Sequence, residues 1–511
     1  MDNFGMLGPA RDLAVAGARE LPWAAAHIAD LGHEDPGKDP RFDDEAWRSS
    51  PYYRVLARSY LLVEQWINRS CDRIDGSWQH QARARYLANI LSAGLSPANY
   101  LLTNPVALET AMSTGGRSLR DGARNMVLDL ARGGMPLTVT RDPFVVGTQL
   151  AATPGAVVYR DEIFELLQYT PAGEEVRSVP LVMVPPQLNR YYVLDLAPGR
   201  SLVDYARSFG IQVFMMVWRN PRADLGHGKW GLDDYLAAQR RAAKVVQSIT
   251  GVQAPHWLGL CAGGTTTALH LARRASAGKP PAASATFLVT MLDNKVPNIV
   301  GTFDSPGLRA ELSTMADAGQ VVPAMSIRGT FAWLRPNDLV FNYLVSGWLL
   351  GKDPQPFDVL AWNDDATGVT ARFMLDATRM LCDGTEADFA AVDCDSFHVA
   401  GYTDHIAPWR AAYAGQSLLG GSKELVVVRS GHIQSFVNPA GSTRYPYWHG
   451  APSDGDPDAW LASASRSGES WWPHWRGWLL ERSGQAVAAP KHLGSRKYPP
   501  LSPAPGTYAV M

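Results

Sequence analysis

The sequence predicts an α/β fold: a mostly parallel central sheet flanked by helices, a helical N-terminal domain before it and a cap inserted into it. Three observations carry this expectation. Residues 179–184 and 212–218 are unbroken apolar runs, the form of strands buried on both faces. Residues 232–249 have helical spacing between two such runs, and strand, helix, strand in that order implies parallel pairing. Finally, Gly259-Leu260-Cys261-Ala262-Gly263 stands where a strand over 254–260 hands over to a helix beginning near Ala268. Glycines two before and two after the central residue allow a sharp turn at that point.

Taken in order, residues 1–40 are rich in Gly, Ala and Pro without sustained period and read as a loose arm. Apolar residues at helical spacing then predict helices over 52–66, 82–93 and 105–131, with turns at Gly94-Leu95-Ser96-Pro97 and Gly115-Gly116. This helical domain spans 1–140. The period shortens toward two at 156–159 and 164–169, which begin the sheet of a catalytic domain over 141–485. A strand at 285–292 follows the Cys261 turn. Residues 293–370 carry Gly/Pro breaks, short helical pieces and many aromatics, and are too long for a loop, so they read as an inserted cap or lid. Strands at 396–401 and 423–428 resume the sheet. A tryptophan-rich helical region over 459–482 and a Pro/Gly-rich tail over 486–511 close the chain.

Composition excludes several classes. With 511 residues, 46% of them hydrophobic and 19% charged, the chain is globular, with length for more than one structural unit. A formal net charge of -2 gives no reason to expect nucleic acid as a partner. Four scattered cysteines are too few for a disulfide framework and suit a reducing cytoplasm. No basic-then-apolar leader opens the chain and no apolar run reaches membrane-spanning length, so neither export nor a transmembrane segment is expected. The 17 tryptophans include the run Ser470-Trp471-Trp472-Pro473-His474-Trp475, which reads as core or interface, while exposed aromatics would also suit adsorption to an apolar surface.

A cysteine at the tip of such a turn is a candidate nucleophile. The helix beginning behind it favours a thiolate, and the Ala262 N–H is the natural donor to an oxyanion. A nucleophile requires a base and a group that orients the base. Asp404 follows the strand at 396–401, and His432 follows the strand at 423–428. Each lies just past the C-terminal end of an expected parallel strand, as Cys261 does, so the three meet at one sheet edge. Nucleophile, acid, histidine is the chain order of the α/β-hydrolases. His405 directly follows Asp404, which makes it an awkward partner for that carboxylate, and it is assigned a supporting place. His256 and His270 flank the turn on elements expected to be buried and read as structural. Cys71, Cys382 and Cys394 lack a strand-turn-helix setting. A second oxyanion donor is expected after the first buried parallel strand, in Pro185-Pro186-Gln187-Leu188; the prolines cannot donate, which leaves Gln187 or Leu188, with Leu188 preferred.

Asp39-Pro40-Arg41-Phe42 with Trp47, Ser96 to Pro105, Thr153-Pro154-Gly155, Trp218-Arg219-Asn220-Pro221, Arg335 to Val340, Thr403 to Trp409, Ser430 to Pro439 and Ser470 to Trp475 together resemble the polyhydroxyalkanoate (PHA) synthases. The likeness covers nearly the whole chain, and the helical N-terminal part resembles the single-subunit (class I/II-like) members. It implies an α/β-hydrolase fold and an acyltransferase that polymerises (R)-3-hydroxyacyl-coenzyme A into polyester with release of coenzyme A. By this resemblance Cys261 is the nucleophile, His432 the base, and Asp404 acts on the incoming hydroxyl through the histidine or directly. The thioester is the substrate, with no separate cofactor and no metal. The partners implied are the growing polyester chain, the surface of a cytoplasmic polyester granule, and a second copy of the chain in a homodimer. The segment between Met380 and Cys394 is shorter than in typical members. Two other readings follow from the same residues: a thioesterase or polyester depolymerase with water as acceptor, and a catalytically impaired granule-surface binding protein.

Overall fold

Residues 5–28, 39–293, 295–452 and 455–511 are described by the computed structural model. They form two compact units. The first takes in Met1–Arg141, Ser305–Leu308 and Ser326–Asp364, and the second the rest of the chain. Among the described residues no helix is long and apolar enough to cross a membrane.

The first unit is helical. Pro51–Asp72, Trp78–Leu95, Pro105–Ser113 and Arg117–Ala131 match the sequence pattern, the last two separated by Gly115 and Gly116 at positive φ. Leu7–His27, read from sequence as part of a loose arm, is a helix of 21 residues. Long-range packing accounts for the difference. An ideal Cβ on Gly17 would lie 3.0 Å from the Trp66 ring, whose indole N–H donates to the Gly17 carbonyl, and Glu20 receives Arg69 and Arg73. None of these partners leaves a local period. The remainder of that arm, residues 1–4 and 29–38, lies outside the described residues. Phe42, Trp47, Ala57, Tyr60 and Ala98 pack into one core, held by Arg41, which bonds both oxygens of Asp39, Glu64 and the Tyr60 hydroxyl. Half of the segment read as a cap belongs to this unit: the indole of Trp348 donates to Asp129, and Gly122 lets the Trp348 carbonyl approach where a Cβ would be 2.0 Å away.

The second unit is built on a sheet. β1 (Gly155–Arg160) and β2 (Phe164–Tyr169) begin it, followed by the short β3 (Glu175–Arg177). β4 (Leu181–Val184), β5 (Val213–Trp218), β6 (His256–Leu260) and β7 (Ala285–Leu288) are buried along their whole length. β8 (Val321–Val322) and β9 (Val369–Thr370) pair separately, while β10 (Ser396–Gly401) and β11 (Lys423–Val428) return to the sheet. β12 (Tyr447–Gly450), β13 (Ser465–Ser467), β14 (Ala486–Ala488) and β15 (Ser502–Pro503) complete the set.

The main sheet has eleven strands in the order β13-β12-β11-β10-β7-β6-β4-β5-β2-β1-β15. The six central ones, β11 to β5, run parallel, and antiparallel strands extend both edges. Parallel strands need both faces covered, which explains why their sequences are apolar throughout. The tryptophan-rich region resolves into two helices, Pro457–Ser463 and Trp472–Leu480, with β13 between them. The tail packs rather than trails: β15 pairs with β1, and the fully buried carboxylate of Glu165 receives the N–H groups of Thr507 and Tyr508.

Candidate active site

β6 ends at Leu260 and the helix Ala262–Ser276 begins two residues later, so Cys261 alone makes the turn. Its backbone is at φ 52°, ψ −123°, a region costly for any residue with a Cβ. Close backbone approach makes the turn possible. A Cβ on Gly259 would lie 2.4 Å from the Gly264 Cα, one on Gly263 2.4 Å from the Pro185 carbonyl oxygen, and one on Gly264 1.9 Å from the Thr290 hydroxyl. The exit of β7 braces the turn from the side. Cys261 N–H donates to the Leu288 carbonyl, and the Thr265 hydroxyl to that of Met291.

β10 and β11 are parallel neighbours in register, so the loops after them emerge side by side. Gly401 closes β10, and its ideal Cβ would be 2.9 Å from the Ser430 carbonyl. Asp404 lies in the turn beyond. One carboxylate oxygen accepts the N–H groups of Ile406 and Ala407 at 2.8 and 3.0 Å; the other is 2.6 Å from His432 Nδ1. The Asp404 side chain is 0% exposed. His432 begins the short helix His432–Phe436 and is buried. Burial alone favours the neutral imidazole, but the charge and hydrogen bond of Asp404, joined by a hydrogen bond with Cys261, push its pKa up to about 10. With Nδ1 taken by Asp404, Nε2 is the nitrogen left for the thiol. Asp404 and His432, 28 positions apart, thus share a hydrogen bond, and Cys261, 143 positions before Asp404, has its thiol near the same imidazole.

The remaining expected residues are placed as follows. Ala262 is the first residue of its helix, where no intrahelical acceptor exists for its N–H. Leu188 is half-buried in the loop after β4, next to β6 in the sheet, and that loop's Pro185 carbonyl touches Gly263. His405 is half-buried beside Asp404. His256 is locked between the hydroxyls of Ser284 and Ser483, and burial lowers its pKa to about 4; burial lowers that of His270 to about 3. Burial pushes the thiols of Cys382 and Cys394 up to about 12 and raises that of Cys71. Cys261 instead has the His432 imidazole beside it.

Two supports escaped the sequence reading. The Thr266 hydroxyl accepts from the side-chain amides of Gln187 and Gln239 and donates to the Gly263 carbonyl, tying the loop after β4 to the helix behind Cys261. The tryptophan run also serves the site, because the indoles of Trp471 and Trp472 donate to the carbonyls of Ser435 and Phe436 and so clamp the turn that carries His432. A buried Gln after Pro-Pro was the available signal for the first. Nothing local marks the second.

Comparisons with known proteins identify the family. Residues 38–206 match the family described as poly-beta-hydroxybutyrate polymerase (PhaC) N-terminus, and residues 180–439 match the alpha/beta hydrolase fold. The chain is 41% identical to poly(3-hydroxyalkanoate) polymerase 2 of Ectopseudomonas oleovorans, over 93% of this chain and 86% of that one. It is 38% identical to poly(3-hydroxyalkanoate) polymerase 1 of the same organism, over 98% and 94%. To the poly(3-hydroxyalkanoate) polymerase subunit PhaC of Cupriavidus necator it is 38% identical, over 95% and 85%. The chain belongs to the poly(3-hydroxyalkanoate) polymerases, acyltransferases that polymerise hydroxyalkanoate, here on an α/β-hydrolase fold.

Proposed function

We propose that the protein polymerises (R)-3-hydroxyacyl-coenzyme A with release of coenzyme A, through an acyl group carried on Cys261. The observation that carries this reading is the Asp404–His432 hydrogen bond with the Cys261 thiol near the same imidazole, the three residues following β10, β11 and β6. His432 Nε2 takes the proton of the Cys261 thiol, and the thiolate attacks the thioester carbonyl. The N–H groups of Ala262 and Leu188 receive the oxyanion. Collapse of the tetrahedral intermediate expels the coenzyme A thiolate, which takes the proton from His432. A hydroxyl then gives its proton to His432 and attacks the acyl-cysteine. An ester bond forms and Cys261 is regenerated with its proton. Thioester to thioester is nearly balanced, so a cysteine can be charged by one coenzyme A ester and discharged to a hydroxyl.

Asp404 orients His432 in this reading. One of its oxygens is engaged by two backbone N–H groups and the other by Nδ1, so its carboxylate supports the imidazolium from behind. The reading extends to a cytoplasmic homodimer at the surface of a polyester granule. The test is thiol release from (R)-3-hydroxybutyryl-coenzyme A and a longer-chain homologue by the parent and by Cys261→Ala, with the product sized. Insoluble polymer from the parent alone supports the proposal. Free hydroxy acid would assign the site to hydrolysis, and no release from either ester would point to a binding protein.

A further inference from the structure

Among the described residues, one group of side chains outside the catalytic edge brings three potential metal-ligand atoms within 4.8 Å of one another: Glu424, His449 and His474. They come from three elements, namely β11, β12 and the helix Trp472–Leu480. One oxygen of Glu424 is 3.4 Å from His449 Nδ1 and 3.1 Å from His474 Nε2. Ligands at the zinc distance of about 2.0–2.1 Å in tetrahedral array stand about 3.3 Å from each other, so both separations are those of neighbouring ligands on one ion. The two imidazoles are near-perpendicular, with centroids 4.5 Å apart. All three side chains are 19–28% exposed, open enough for an ion to enter.

We propose that Glu424, His449 and His474 form a divalent transition-metal site of the zinc class. Two imidazole nitrogens and one carboxylate oxygen suit such an ion, and three protein ligands leave a fourth position for water. The site has a structural consequence. Glu424 is near the start of β11, about 13 Å along the strand from Val428, beyond which His432 lies, so the ion is separate from the acyl-transfer chemistry. His474 sits on the helix that, with Trp471 just before it, supplies the tryptophans clamping the His432 turn. An ion would pin that helix to β11 and β12.

The test uses the full chain, stripped with chelator and titrated with Zn2+ against a chromophoric competitor. One equivalent per chain is expected for the parent and for Cys261→Ser, with a rise in melting temperature on zinc addition. Glu424→Gln and His449→Gln should each lose that equivalent and that rise. Cobalt substitution gives a readout that needs no variant: a tetrahedral ligand-field spectrum without sulfur-to-metal charge transfer. No binding by the parent, a sulfur-ligated cobalt spectrum, or full binding retained by both variants would overturn the assignment and leave two histidines simply sharing a carboxylate.

Discussion

His432 Nδ1 lies 2.6 Å from a carboxylate oxygen of Asp404 whose twin oxygen is already held by two backbone N–H groups. The carboxylate therefore has little freedom to turn, and the imidazole is held in the tautomer that leaves Nε2 toward Cys261. Asp404→Asn replaces one acceptor oxygen with an N–H2 group and removes the charge behind the ring. A fall in kcat of about 10²–10⁴-fold with KM little changed is expected from steady-state thiol release. An equal rise in KM with kcat preserved would place Asp404 in substrate binding instead.

The elevated pKa of His432 makes a statement about stability. Its folded value, near 10, is above the unfolded value of 6.5, so the charged imidazole contributes stability that is fully present below about pH 6.5 and is lost as pH rises toward 10. Cys261 is one of the groups raising it, and Asp404 is the larger. Urea midpoints measured from pH 6 to 10 should decline in the parent, less steeply in Cys261→Ala, and least in Asp404→Asn.

Glycine at the turn is a steric requirement. Gly263→Ala places a methyl carbon 2.4 Å from the Pro185 carbonyl oxygen and 2.5 Å from that of Val184. Denaturant unfolding should show a loss of about 1–3 kcal/mol, accompanied by near-complete loss of thiol release, because the Cys261 turn must shift. Gly115→Ala meets nothing within 4 Å, and its positive φ alone should cost about 1 kcal/mol, with activity retained.

In the first unit, Arg41 bonds Asp39 through two nitrogens and also reaches Glu64. Arg41→Ala leaves two part-buried carboxylates without their cation and should destabilise the chain by about 2–4 kcal/mol in thermal or urea unfolding. Arg41→Lys should recover only part of this, since an ammonium cannot match the two-pronged contact.

Much of this architecture is legible in the sequence because it is locally encoded. The buried parallel strands are short apolar runs, and 396–401 and 423–428 are found at their predicted positions. Cys261 is marked by flanking glycines, and Asp404 and His432 by the strands they follow. What escaped depends on partners far away in sequence. Leu7–His27 is helical because Trp66, Arg69 and Arg73 pack on it, and β12, β13 and β15 are outlying strands of two to four residues whose pairing alone defines them. The Thr266 knot draws its two amides from positions 79 and 27 residues away. Glu424, His449 and His474 are each 25 residues apart and follow no ligand-spacing motif.

The most direct measurement is acid-quenched peptide mapping of the full chain after brief exposure to (R)-3-hydroxybutyryl-coenzyme A. The central claim requires a hydroxybutyryl adduct on the peptide containing Cys261, formed with stoichiometric coenzyme A release and absent in Cys261→Ala. An adduct on any other residue, or undiminished thiol release by Cys261→Ala, would contradict it.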